Sequence, residues 1–228
     1  MPASILFAVL AAGQLALVGW CGTRYRRTGD RMLFVPAVVC AALVYDNAIV
    51  AAGRWIGVGG TLETLSVFRF VAHLVLTPLL MPWACAAAGR AGVTWLRPTW
   101  VRAAVGAATL SVIALGVFGE LMRLTLRPAE WAGTIRYTTG HSSLAGVLPP
   151  VITVVAVLVA AVAVWRVRGY RLWTVTTATM AVVSAAMLPM LLTNAAELFF
   201  AWGIVATAMW LSGPGQAPVS TGRNSGER

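Results

Sequence analysis

Asp46, Glu63, Arg69 and His73 stand within or beside two strongly apolar stretches of a chain that is 59% hydrophobic. An ionisable side chain in a bilayer core costs at least about 2.5–3.5 kcal/mol on insertion scales, so each one calls for a partner or a task. Arg69 and His73 are four residues apart and, on a helix, share one face. The carboxylate of Asp46-Asn47 needs a cation or hydrogen-bond donors, which Arg69 or Arg123 can supply. Further along, Glu120 with Arg123 and Asn194 with Glu197 bring two more acids to the ends of apolar runs. Ionisable groups gathered in an apolar setting are what a polar pocket built between helices would produce, and they mark a candidate functional site.

These residues are positioned by a scaffold whose class the composition defines. Only 11% of the 228 residues are charged, and the mean hydropathy is +0.82, far from a soluble domain. The expectation is an all-α polytopic membrane protein with spans at 2–20, 32–53, about 66–88, 100–119 and 144–165. Two more are expected within 172–211, divided near Leu192-Thr-Asn194, for seven in all. The first apolar run lacks a basic leader and runs straight into Cys21-Gly-Thr-Arg-Tyr-Arg-Arg, as a first span does and a cleaved signal does not. Residues 1–211 form one helical domain, and 212–228, rich in Gly, Pro and Ser, read as a disordered tail. The connection 120–144 is polar, and its length allows it to fold over an opening as a lid.

The net charge of +10 comes from arginine alone, placed in short clusters between apolar runs. That is a topology signal, and nucleic acid is not an expected partner. Twelve arginines, including Arg24, Arg26, Arg27, Arg90, Arg97, Arg166 and Arg168, fall on one side and five on the other. The positive-inside rule then places the N-terminus outside and the C-terminus in the cytoplasm of a multi-pass cell-membrane protein. In this arrangement Asp46, Glu63, Glu120, Glu130 and Glu197, five of the seven acids, lie toward the outer side. They describe a pocket between spans two, three, four and seven. Tyr45, Phe68, Phe199, Phe200 and Trp202 are candidate aromatic walls there, whereas Trp20, Trp83, Trp95, Trp100, Trp165, Trp173 and Trp210 read as an inner interfacial belt.

Several chemistries lack their residues. Two aspartates far apart, Asp30 and Asp46, do not make a magnesium-diphosphate site. His73 and His141, one in a span and one in a loop, do not pair as haem ligands. Cys21, Cys40 and Cys85 have no metal spacing, and Gly57-Val-Gly-Gly60 is a turn without a dinucleotide-loop context. No metal or cofactor is expected. Arg127-Pro128 and Tyr137-Thr-Thr-Gly-His141-Ser-Ser resemble motifs of the type-2 phosphatidic acid phosphatases, but Glu120 stands where that family has lysine, and no later histidine is present to attack phosphorus.

A second resemblance lies in the architecture. A chain of this size with seven spans, a glutamate between spans two and three, and an acid in span seven resembles the small integral-membrane terpene cyclases. These include fungal meroterpenoid and indole-diterpene cyclases and actinobacterial relatives acting on prenylated indoles. By position Glu63 matches the family's glutamate, and Glu197 stands where its other acid, usually aspartate, is expected. The resemblance implies protonation of a terminal alkene or epoxide of a prenyl chain and ring closure through carbocations, with a lipophilic prenylated substrate and membrane lipid as partners. A carboxyl in an apolar pocket keeps its proton and serves as a general acid, while a neighbouring arginine favours the carboxylate. On that reasoning Glu197 or Glu63 is the acid, ahead of Asp46, and Asn47, Arg69, His73, Glu120, Arg123 and Asn194 bind the substrate. The rival readings are a small transporter or lipid-binding protein, for which helices broken at Thr77-Pro78, Pro82 or Pro189 would argue, and a lipid-modifying enzyme using His141 as base.

Overall fold

The structure, a computed structural model, describes residues 2–139 and 143–213. Eight α-helices and one β-hairpin are found among them. Helix α1 covers Pro2–Thr28, and a 3-10 turn at Arg31–Leu33 leads into α2, Phe34–Ile56. Helix α3, Gly60–Leu76, is followed by a 3-10 turn at Thr77–Leu79, where Pro78 removes an amide donor, and the chain continues as α4, Leu80–Arg90. Helix α5 covers Thr99–Gly119, α6 Leu144–Arg168, α7 Leu172–Ala185 and α8 Met190–Leu211. Six of the helical stretches are long and apolar enough to cross a membrane, and α7, with 14 residues, is shorter. Mostly helical build with several such stretches suggests a membrane protein.

Two features differ from expectation. The long apolar stretch divides at Ala186–Pro189, not near Asn194, because Met187 takes a left-handed φ of 49° and Pro189 caps the start of α8. Asn194 and Glu197 therefore lie inside α8, in its first turns. The connection after α5 holds strands β1, Leu126–Trp131, and β2, Thr134–Thr139, paired antiparallel with Trp131 opposite Thr134. The described residues are otherwise mostly helical, compatible with an all-α membrane protein that carries this one hairpin. Ala132 and Gly133, at φ 48° and 81°, carry the two positive φ values of a type I′ hairpin turn.

The apolar core occupies the half of the bundle away from the hairpin. Leu33, Leu80, Val164, Trp173, Ile204, Val205 and Leu211 are fully buried there, and alanines at 84, 87, 88, 160, 161, 201 and 208 let the helix backbones approach closely. Trp83 and Trp173, read as belt residues, are buried in this core with ring centroids 5.4 Å apart, edge to face, and the Trp83 indole N–H donates to the Met32 carbonyl at 2.9 Å. Trp210 stacks on Tyr170 at 4.6 Å. A small second cluster, Ala3, Phe7, Val50 and Ala51, lies in the hairpin half.

At the arginine-rich end, Asp30 ties three segments together. Its carboxylate accepts from the Met32 amide at 3.0 Å and the Ser212 hydroxyl at 2.9 Å, and it pairs with Arg90 at 2.7 Å. The Ser212 carbonyl in turn accepts from Arg24 at 2.9 Å. Ser212, the first residue of the expected tail, is therefore part of the folded unit; residues 214–228 lie outside the described residues. Burial would raise the Asp30 carboxyl, but the Met32 amide, Ser212 and Arg90 together hold it below its ordinary 3.8. A carboxyl depressed on folding stabilises the fold above its unfolded value and loses that contribution as pH falls through its folded one. The melting temperature is thus expected to fall as pH is lowered below about 4, and Asp30→Asn is expected to lower it at pH 7 and to flatten the acid slope. An unchanged slope in that variant would show that Asp30 does not contribute.

The hairpin is seated on the helices by close backbone approach. A Cβ at Gly53 of α2 would collide with the Ile135 carbonyl oxygen of β2. Trp131 meets Phe7 of α1 edge to face at 6.4 Å, and Tyr137 is buried. The expected lid is therefore an ordered element packed on α1, α2 and α3. Gly53→Ala should push β2 off α2 at a cost of about 1–3 kcal/mol, the usual penalty of overpacking. Faster hydrogen exchange of the β2 amides would report it, and unchanged protection would show that the contact is not needed.

Candidate functional site

Beneath the hairpin, where the apolar core thins, polar side chains from four helices form a chain. Helix α1 brings Gln14, α2 brings Asp46 and Asn47, α3 brings Arg69 and α8 brings Asn194. The Asn47 amide donates to the Gln14 side-chain oxygen and to the Leu43 carbonyl, both at 3.0 Å. The Asn194 amide donates to the Asn47 side-chain oxygen at 3.0 Å and more weakly to Asp46 Oδ2 at 3.4 Å. Arg69 Nε donates to Asp46 Oδ1 at 2.8 Å, closing the chain with an ion pair. Gln14 and Asn47 have no exposed surface, and Asn194 retains 5%. Adjacent residues on α2 thus divide the work: Asn47 faces α1 and α8, and Asp46 faces α3 and α8.

Helical spacing explains which α3 residues join. Leu62, Ser66 and Arg69, separated by four and three, lie on one face, with Leu62 and Ser66 fully buried. Glu63 is about 100° around from Leu62 and is exposed at the first turn, with no ion pair or side-chain hydrogen bond among the described residues. Glu197 follows Asn194 by three on α8 and is half-buried, within electrostatic reach of Asp46 and Arg69. Its side chain makes no hydrogen bond among the described residues. His73, one turn beyond Arg69, also lies in reach of Asp46 and Arg69 while keeping exposed surface. Tyr45 sends its hydroxyl to the Leu65 carbonyl at 2.9 Å, binding α2 to α3 beside the ion pair.

The remaining candidates lie elsewhere. Glu120 is buried, but its carboxylate accepts from the Ser143 hydroxyl, joining the end of α5 to the start of α6 against Gly146. Arg123 is exposed in the 3-10 turn Leu121–Arg123, and the ion pair of Asp46 among the described residues is with Arg69. Phe68 is exposed and Phe200 is packed in the apolar core. Phe199 and Trp202, 5.8 Å apart, line an apolar groove of about 330 Å³ with Gly13 and Leu17 of α1. That groove borders a different face of α8 from Glu197. His141 lies outside the described residues.

Two members of the site escaped the reading of the sequence. Gln14, an uncharged polar residue in the middle of an apolar run, is found by the rule that exposes Asp46. Arg136, from β2, lies close enough to Arg69 and Asp46 for their charges to act on it. Its burial, and then the Arg69 charge, press it below the ordinary arginine range, with Asp46 opposing. The arrangement sets an acid, Glu197, near an anchored ion pair, and it offers arginine donors to an incoming polar group. Compared with known protein families and with curated proteins, the chain shows no match.

Proposed function

We propose that this chain is a multi-pass cell-membrane protein of seven spans, N-terminus outside, that cyclises a prenylated substrate by acid-initiated carbocation chemistry. The placement of Glu197 carries the reading: an acid with no hydrogen-bond partner of its own among the described residues, set on an apolar helix beside a fixed Asp46–Arg69 pair. With Arg69 held by Asp46, the pair is internally balanced, and Glu197 is left as the proton donor. The Glu197 carboxyl gives its proton to the terminal alkene carbon or the epoxide oxygen. The resulting cation is attacked by an internal alkene to form a carbon–carbon bond, and the cyclised cation loses a proton to the Glu197 carboxylate, which restores the acid. No atoms are gained or lost. The unequal arginine distribution supports the orientation, and α7, rising about 21 Å at 1.5 Å per residue, is the thinnest of the proposed spans.

Membranes containing the protein, incubated with a panel of prenylated aromatic acceptors, are expected to produce an isomer of unchanged mass. A panel with no isomer formed would count against cyclisation. A rival reading, a small transporter or lipid-binding protein, draws on the interruption at Thr77–Leu79 between α3 and α4. Dissipation of a substrate gradient in proteoliposomes, without isomer formation, would favour it.

A further inference from the structure

Arg69 and Arg136 together present more donors than the fold uses. Arg69 uses Nε on Asp46, while its Nη1 is shut away from water with no partner among the described residues, although the side chain is only 10% exposed. The Arg136 side chain makes no hydrogen bond or ion pair among the described residues, and its Nε is likewise buried. Guanidinium groups stay charged and present planar forks suited to carboxylate and phosphate oxygens. Arg136 is left without a paired anion, because Asp46 is taken by Arg69, and Glu197, the proton donor of the proposed reaction, makes no ion pair among the described residues. Tyr45 and His73 are the other titratable groups beside them, and neither supplies an anion in its ordinary state.

We propose that Arg69 of α3 and Arg136 of the hairpin form an oxyanion site that takes one carboxylate or phosphate group of an amphiphile, with its chain among the helices. The missing negative charge is the ligand's. The hairpin then has a reason for its close seating on Gly53: it carries one of the two arginines to the other. For the cyclase, this names the substrate class as a prenylated acid, and that extension rests on the cyclase reading; binding itself is read without turnover. A protein that binds the anion but forms no isomer would retain the site and lose the cyclase.

The full chain in uncharged detergent is titrated with dodecanoate, dodecyl phosphate, inorganic phosphate and dodecanol, and its melting temperature is followed. A saturable rise is expected with an anionic amphiphile and none with dodecanol. Saturation by inorganic phosphate alone would assign the site to a free anion, whereas response only to the dodecyl anions would assign it to a lipid or substrate head group. Arg136→Gln is expected to weaken the midpoint at least tenfold, Arg136→Lys to weaken it less, and Arg127→Gln, on exposed β1, to leave it unchanged. Should Arg136→Gln fail to fold, Arg69→Lys, which keeps the charge and loses the fork, is expected to weaken binding as well. Equal midpoints in wild type, Arg136→Gln and Arg69→Lys, an equal loss in Arg127→Gln, or an equal response to dodecanol would overturn the proposal.

Discussion

Glu197→Gln is expected to leave the protein folded and to lower cyclisation at least about 100-fold, the lower bound of what a positioned general acid contributes. Glutamine keeps the length and polarity of the side chain but has no acidic proton. Packing should be preserved, because Glu197 makes no hydrogen bond among the described residues that the amide would break. Glu63→Gln serves as the contrast. Position alone made Glu63 the equal of Glu197, yet the exposed first turn of α3 separates it from Asp46 and Arg69, and its variant is expected to turn over at near the wild-type rate. Single-turnover assays on purified protein, with melting temperatures for each variant, make the comparison. Full activity in Glu197→Gln removes it as the donor, and loss only in Glu63→Gln would move the chemistry to the mouth of α3.

The polar centre was legible where burial is costly. Asp46, Arg69 and Asn194 announce themselves in apolar runs, since a charge or amide there survives only with partners, and the partners proved to be one another. Gln14 obeys the same rule and was overlooked because it carries no charge. Arg136 was hidden for a different reason: a loop arginine costs nothing in water, and only the hairpin makes it internal. The Thr-Ile-Arg-Tyr-Thr-Thr run of β2 is rich in β-branched and aromatic residues, but its Ala132-Gly133 turn lacks the Asn-Gly or Asp-Gly pair that would flag a hairpin.

Helix ends and aromatic roles were less legible. From Leu172 to Leu211 nearly every residue is compatible with a buried helix, so apolar content does not locate the turn; the left-handed Met187 and the cap at Pro189 do. A tryptophan at a membrane interface and one in a core have the same composition and differ only in neighbours. Trp83 and Trp173 found each other and a carbonyl acceptor, which one helix's sequence cannot reveal. Glu120, expected in the pocket wall, instead accepts from Ser143 and fastens α5 to α6, with no bond to Asp46 among the described residues.

Asp46→Leu is expected to destabilise the fold by about 3 kcal/mol, the lower part of the range for breaking a buried ion pair from one side, because the Asp46 side chain keeps 26% of its surface. The loss comes mainly from what is left behind. Arg69, nine-tenths buried, would have no anion for its Nε in addition to an Nη1 that already lacks a partner, and Asn194 would keep only its bond to Asn47. Removing both charges in Asp46→Leu/Arg69→Met replaces the pair by apolar volume, so most of the loss should return. Unfolding of the two single variants and the double variant in the same detergent completes the cycle. Additive losses would mean that Asp46 and Arg69 do not support each other. Recovery in the double variant would show that the pair is held for positioning, not for stability, since leucine and methionine would then hold α2 and α3 together nearly as well. That outcome would separate the scaffold from the site: the helices need only to pack here, and the charges remain because something other than folding uses them.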